Sequence, residues 1–282
     1  MASIVVTGAS TGIGHGCVEE LTKAGFHVFA SVRKAADAER LSQEFGDKVT
    51  PLIFDVTDEA AIATAADKVR EALRGEPLAG LVNNAGVAVA GPLLHLPIAE
   101  FRQQIEVNLI GVVAVTQAFA PLLRAEPGKG TPGRIVNISS VGGKNANPFM
   151  GPYCASKFAV EGLSESLRRE LMLYGIEVVV VAPGAVATPI WSKAEEVDVT
   201  PYAATPFAPA LDRVRAYMLA VGAKGLKPQA IGQGVLKALT VPRPKVRYTL
   251  TPDPLQTLMT TILPKRMVDR AIARQLGLTP GG

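Results

Sequence analysis

Short runs rich in β-branched residues alternate with longer stretches of helical period along most of this chain, and that alternation restricts the fold more than any other feature. The short runs fall at residues 3–7, 27–31, 49–54, 80–83, 134–138, 177–182 and 246–250, and the helical stretches at 12–24, 36–44, 59–73, 98–123, 152–174 and 228–240. Strand and helix in strict alternation predict βαβ units and therefore a parallel sheet. Val178-Val179-Val180-Val181 is apolar at every position, as expected of a strand covered on both faces. The expected fold is α/β, a doubly wound, Rossmann-type parallel sheet of about seven strands with helices on both faces. The 282 residues suit one large domain or two small ones, and the unbroken pattern favours one, 1–282. Residues 190–227 interrupt it with prolines and little periodicity and read as a substrate lid. Residues 251–282 read as a C-terminal extension whose apolar stripe covers the pocket, packs at an oligomer interface or touches a membrane surface, with packing ranked first because such stripes are usually core.

Charge and cysteine usage exclude several classes. A net charge of +4 without a Lys/Arg block gives no nucleic-acid footprint. Cys17 and Cys154 are too few for a disulfide framework and form no CxxC, which fits a reducing, cytoplasmic setting. His15, His27 and His95 are scattered without ligand spacing, so no metal site is expected. The chain opens directly on Ser3-Ile4-Val5-Val6 with no leader pattern, and no uninterrupted apolar run reaches the ~18 residues of a spanning helix, so no transmembrane segment is expected.

Two local features carry chemistry. Directly after the first strand comes Thr7-Gly8-Ala9-Ser10-Thr11-Gly12-Ile13-Gly14, leading into a helix. Glycines let backbone approach a pyrophosphate, and the free N–H groups of the helix start attract its charge. The spacing is GxxxGxG, and a glycine-rich turn without a ligand is the alternative. The second strand ends in Val32-Arg33-Lys34, where an NAD-binding fold places a carboxylate. A basic residue there pairs with a 2′-phosphate and points to NADP(H), with Ser10 as a further donor; the alternative is a solvated loop.

The second feature is Tyr153-Cys154-Ala155-Ser156-Lys157. Residues four apart share a helix face, so phenol and ammonium can enter one pocket, where the cation is expected to lower the phenol pKa. Ser140 follows the apolar run 134–138 and brings a hydroxyl to the same sheet edge. Such a pair also arises by chance on amphipathic helices.

Taken with Asn83-Asn84-Ala85-Gly86, Asn108 and Pro183-Gly184, these residues resemble the short-chain dehydrogenase/reductase family over roughly residues 1–190. The stretch from Ser140-Val141-Gly142-Gly143 to Tyr153–Gly162 is similar to the branch containing estradiol-17β and retinol dehydrogenases. The resemblance implies Tyr153 as proton donor or acceptor and Lys157 as its tuner and the holder of the nicotinamide ribose. It implies Ser140 on the substrate oxygen and Asn108 anchoring a water that links Lys157 to solvent. It places Asp55 and Val56 at the adenine, Asn83, Ala85 and Gly86 along the nucleotide, and Thr188, with Pro183 and Gly184, at the nicotinamide. It also implies a homodimer or homotetramer built on the two long helices, with Phe158, Leu163, Leu167 and Leu171 as apolar positions.

The expected activity is NADP(H)-dependent interconversion of an alcohol and a ketone or aldehyde. A dinucleotide sensor without turnover, and an epimerase or dehydratase on the same fold, are the alternatives. Ile190, Trp191, Val197, Val199, Tyr202, Phe207, Leu211, Tyr217 and Met218 make the segment beyond the sixth strand apolar, and apolar walls select apolar ligands. A bulky hydrophobic substrate is therefore expected.

Overall fold

A computed structural model describes residues 1–124, 131–188 and 199–279. Seven parallel strands form one sheet: β1 (Ser3–Val6), β2 (His27–Val32), β3 (Val49–Ile53), β4 (Gly80–Asn83), β5 (Arg134–Ile138), β6 (Glu177–Pro183) and β7 (Arg247–Leu250), in the order β3-β2-β1-β4-β5-β6-β7. The winding reverses between β1 and β4, and in such sheets ligands bind beyond the carboxyl ends of the strands at that switch point.

Alternation along each strand splits the core in two. Ile4, Val6, Val28 and Ala30 face α1 (Gly12–Lys23), α2 (Ala35–Phe45) and the C-terminal helix of the sheet's last crossover, while Val5, Phe29, Leu81, Ile135 and Val178 face α3 (Glu59–Leu73) and the helices after β4. Each buried Val, Ile, Leu or Phe among them contributes about 1.5–3 kcal/mol, and both faces are covered, which is why these strands read as continuous apolar runs. After β4 come α4 (Ile98–Ile105), a π turn at Glu106–Ile110, α5 (Gly111–Phe119) and a 3₁₀ turn at Ala120–Leu123. The helix expected over 98–123 is thus one run with a bulge in it. By length and composition alone it is also long and apolar enough to cross a membrane. In this fold, however, Val112, Val115, Phe119, Leu122 and Leu123 lie buried in the protein's own core.

The remaining helices are α6 (Gly151–Glu170), α7 (Ala208–Ala223), α8 (Pro228–Thr240), α9 (Pro254–Ile262) and α10 (Lys265–Leu276). α8 is the crossover helix that covers the first face. It approaches α1 so closely that a Cβ on Gly232 would stand 2.3 Å from the Gly16 carbonyl oxygen. Arg134, at the start of β5, donates to the carbonyls of Ala238, Leu239 and Val241, which satisfies acceptors that the end of α8 leaves free. Helix α7 falls inside the stretch with little periodicity, where no helix is expected: Ala210, Leu211 and Val214 meet a local roof and not the sheet.

Candidate active site

The glycine turn folds tightly against the end of β4. Gly8 and Gly12 adopt φ of +65° and +58°, and a Cβ on Gly14 would stand 2.2 Å from the Gly8 carbonyl oxygen. Only glycine fits such a close approach. Asn84 fixes the turn from across the switch point, its Nδ2 donating to the carbonyls of Thr7 at 2.9 Å and Gly8 at 3.1 Å, while Thr7 Oγ1 accepts from the backbone of Asn84 and Ala85. α1 begins at Gly12 with no side-chain cap and no acidic residue in its first turn, so its N-terminal amides meet no competing anion from its own side chains. Ile13 is half-buried beside them. Thr188 lies opposite, its Cγ2 3.2 Å from where a Gly12 Cβ would be. The glycine backbone and the uncapped start of α1 are the donor set that suits a pyrophosphate, and the residues present fit a dinucleotide.

Asn83 is turned the other way. It is buried, and its Nδ2 donates to Thr116 Oγ1 at 3.1 Å and Asn137 Oδ1 at 2.9 Å. Its side chain thus enters a buried network, because strand alternation sends neighbouring side chains to opposite faces. The same alternation would have picked out Asn84 in the sequence.

At the rim of β2 and β3, Arg33 is exposed and sits 3.7 Å from Asp55, whose Oδ1 accepts from the Thr57 amide and hydroxyl. Val56 is buried against Gly111. Arg40, which sequence reasoning passed over, reaches from α2 to the Ser10 carbonyl and also pairs with Asp37. A basic residue one helical turn beyond the Asp37 carboxylate was its only sequence signal.

The chemistry-bearing side chains converge at the carboxyl ends of β5 and β6. Ser140 is buried just past β5, its Oγ accepting from the Gly142 amide at 3.0 Å, and the Tyr153 phenol ring of α6 lies beside it, both side chains facing Gly142. Burial holds that phenol above its usual range, partly offset by Ser140. Lys157, one turn on, is buried and donates to the Ile138 carbonyl at 2.8 Å, with its Nζ 5.8 Å from the Tyr153 ring centre. Desolvation pulls it down to about 8, against the opposing pull of Glu161. The expected lowering of the phenol by the lysine is thus not found here, because desolvation outweighs a cation whose bond is spent on a backbone carbonyl. Glu161 in turn accepts from Arg247 of β7 at 3.1 Å on both oxygens, and Arg247 also reaches the Ser140 carbonyl at 3.4 Å.

Asn108 lies in the π turn, a local form common at functional sites, and is buried. Its Oδ1 accepts from the Val87 amide at 2.8 Å, and its Nδ2 donates to the Val87 carbonyl at 3.0 Å and Ser156 Oγ at 3.2 Å. The amide expected to anchor a water is engaged in tying the loop after Gly86 to α6. Gln104, one turn earlier and fully buried, does the same for Val87 and Val89. A glutamine at i−4 on the face of Asn108 was the signal available.

Above this edge Phe149, Tyr202, Ala210 and Leu211 form a separate apolar cluster joined by Phe207, Val214 and Leu278. Tyr202, Phe207 and Leu211, named in the sequence as apolar residues of the segment beyond the sixth strand, belong to this cluster. Val199 and Met218 are half-buried, Tyr217 faces solvent, and Ile190, Trp191 and Val197 lie outside the described residues. Pro183 ends β6, and Gly184 donates its amide to the Leu250 carbonyl.

A glycine-lined turn at the switch point of a parallel sheet, with serine, tyrosine and lysine gathered at the same edge, defines a nicotinamide dinucleotide-binding oxidoreductase. The chain belongs to the short chain dehydrogenase family, whose model matches residues 2–198. It is 37% identical over 277 residues, 98% of each chain, to an NADPH-dependent 3-dehydrocapnine reductase from Ornithobacterium rhinotracheale. It is 38% identical over 191 residues to retinol dehydrogenase 16 from Homo sapiens, covering 67% of this chain and 58% of that one. The crystal structure of a short-chain dehydrogenase from Streptomyces avermitilis matches with a TM-score of 0.75 at 26% identity, over 97% of this chain and 94% of that one.

Proposed function

We propose that this protein uses NADP(H) to interconvert an alcohol and a ketone or aldehyde on a bulky apolar substrate, with Tyr153 as acid and base. The observation that carries the reading is the half-buried Tyr153, its phenol ring beside the Ser140 hydroxyl and on one helix face with the buried Lys157. When bound, the dinucleotide supplies or accepts the hydride. Gly8, Gly12, Gly14 and the start of α1 would hold its pyrophosphate. Ser10 and Arg33 suit a 2′-phosphate, since Arg33 has only a long, exposed pair with Asp55 that a dianion outcompetes. The NADPH-dependent relative matching over 98% of the chain supports the same choice. Asp55 and Val56 would flank the adenine, and Ala85, Gly86, Pro183, Gly184 and Thr188 the nicotinamide side.

In the reducing direction Ser140 orients the substrate oxygen and the Tyr153 O–H gives it a proton. Burial keeps the phenol protonated at neutral pH, which suits donation. In the oxidising direction the phenolate takes the proton back, and the Lys157 ammonium is the nearby positive charge. The apolar roof of Phe149, Tyr202 and Leu211 favours a substrate with apolar bulk. On this reading the chain is one domain, its stretch at 199–223 walls the pocket, and the buried free thiols Cys17 and Cys154 fit a reducing cytoplasm.

Tyr153→Phe is the test. It keeps the ring and removes only the proton carrier, so turnover should fall by ~10²–10⁴-fold while the dissociation constant for NADP(H) stays within a few-fold. Turnover above a tenth of wild type would falsify the assignment. Exposed Ile110 and Phe158 on the two long helices favour a homo-oligomer, and a sedimentation mass of one chain at micromolar concentration refutes that part.

A further inference from the structure

Helix α9 is turned inside out. Leu255, Leu258, Met259 and Ile262 follow the i, i+3, i+4, i+7 spacing of one helical face, and they are 68%, 53%, 44% and 69% exposed. The half-buried positions are Thr257 and Thr260, whose hydroxyls donate to carbonyls of the same turn of chain. Burial selects the opposite arrangement, so the protein's own core does not account for the stripe. Nor is the orientation loose, since Asp253 caps the helix through the Gln256 amide at 2.9 Å and Pro254 occupies its first position.

Beyond Leu263-Pro264 the chain enters α10, which is anchored. Val268 and Leu276 are buried, and Arg213 of α7 donates to the Leu276 carbonyl at 2.8 Å. Packing of the extension thus holds for Val268, Leu276 and Leu278, and not for the stripe on α9. On the exposed side of α10 stand Arg266, Arg270 and Arg274 at i, i+4 and i+8, with Lys265 at its start. Met267 is 54% exposed among them. Asp269 is the single carboxylate between residues 254 and 279, and among the described residues none of the four cations is in an ion pair.

An outward apolar stripe followed within a few residues by unpaired cations is the composition of a helix lying at a headgroup boundary, where each basic residue gains from anionic lipid. A second copy docked about a twofold axis would instead set a basic patch near its own image, and like charges across an interface are disfavoured. We propose that α9 and α10 form a docking surface for the face of an anionic phospholipid bilayer. α9 starts four residues after β7 ends, at the sheet edge that holds Ser140 and Tyr153, and α10 packs on α7 beside the apolar roof. Docking therefore brings the edge of the site to the lipid. The surface stands on its own residues and does not depend on which reaction the site performs.

Flotation of the full chain with vesicles tests it. Wild type should float with phosphatidylcholine vesicles containing phosphatidylglycerol, lose that binding as salt shortens the Debye length, and stay behind with phosphatidylcholine alone. Arg266→Ala combined with Arg270→Ala should weaken partition at least about tenfold, and Leu258→Asp combined with Met259→Asp should abolish it. All four positions are exposed, so melting temperature and turnover on a water-dissolved substrate should not change. The arginine pair keeps the test open if the aspartate pair misfolds. No flotation with either vesicle, or flotation that neither variant pair reduces, overturns the proposal. So does a fall in sedimentation mass for Leu258→Asp without any vesicle binding by wild type, which would give the surface to a second copy.

Discussion

Lys157 gives the most quantitative test of how this site is built. A lysine in water titrates at 10.5, and here desolvation lowers it to about 8. Between those values the unfolded chain binds the proton that the folded chain has released, so stability must rise with pH through the window. Below pH ~8 both states are protonated and the full cost of burying the charge is present. With about 1.36 kcal/mol per pH unit, relief of that cost should reach about 2 kcal/mol by pH ~9.5. The assay is urea unfolding of wild type and Lys157→Met across pH ~7 to ~9.5, reading stability from midpoint and slope. Lys157→Met also removes the bond to the Ile138 carbonyl, but that loss is an offset independent of pH. Cys17, pushed up to about 12, and Cys154, also raised by burial, keep their protons when folded and lower stability as pH climbs past the thiol range; both proteins share them, so subtraction removes their effect. Tyr153 is raised as well and acts only above pH ~10. Wild type should therefore gain on the variant as pH rises. In Glu161→Gln, which removes the one charge supporting the ammonium, the gain should begin at lower pH. A difference curve flat across the window refutes the claim that burial governs this lysine.

Arg33→Ala should raise KM for NADP(H) by roughly tenfold, about the worth of one charge-assisted contact, and leave NAD(H) nearly unaffected; Val32→Asp should move preference further toward NAD(H). A wild type that already favours NAD(H) in kcat/KM contradicts this. Gln104→Leu strands the Val89 amide beside a buried apolar group, at a cost of about 1–3 kcal/mol for that unpaired donor, while the Val87 carbonyl keeps the Asn108 amide. It should lower the melting temperature and also kcat, since the loop it holds leads from Gly86 past Asn108, and an unchanged melting temperature shows that water replaces the amide.

The sequence by itself determined the features that depend on short-range pattern. Two-residue and 3.6-residue periods are local, so the order of strands and helices was legible, down to Val178–Val181 as a strand covered on both faces. A glycine turn after β1 and a tyrosine four residues before a lysine are likewise local geometries, written into neighbouring residues. What only the tertiary structure decided depends on which surface each side chain meets. Asn83 and Asn84 are the same residue type, and only the register of β4 beside β1 and β5 sends one into a buried network and the other onto the glycine turn. The 98–123 run reads as a uniform helix, but the Val87–Val89 backbone claims Gln104 and Asn108, and Asn108 stands in a π turn. Tyr153 and Lys157 share a face by spacing, but their proton affinities follow the depth of burial and the Ile138 carbonyl that takes the ammonium. In α9 the stripe was plain in the sequence and its direction was not, because a helical period fixes which residues align and not which way the rest of the protein turns them.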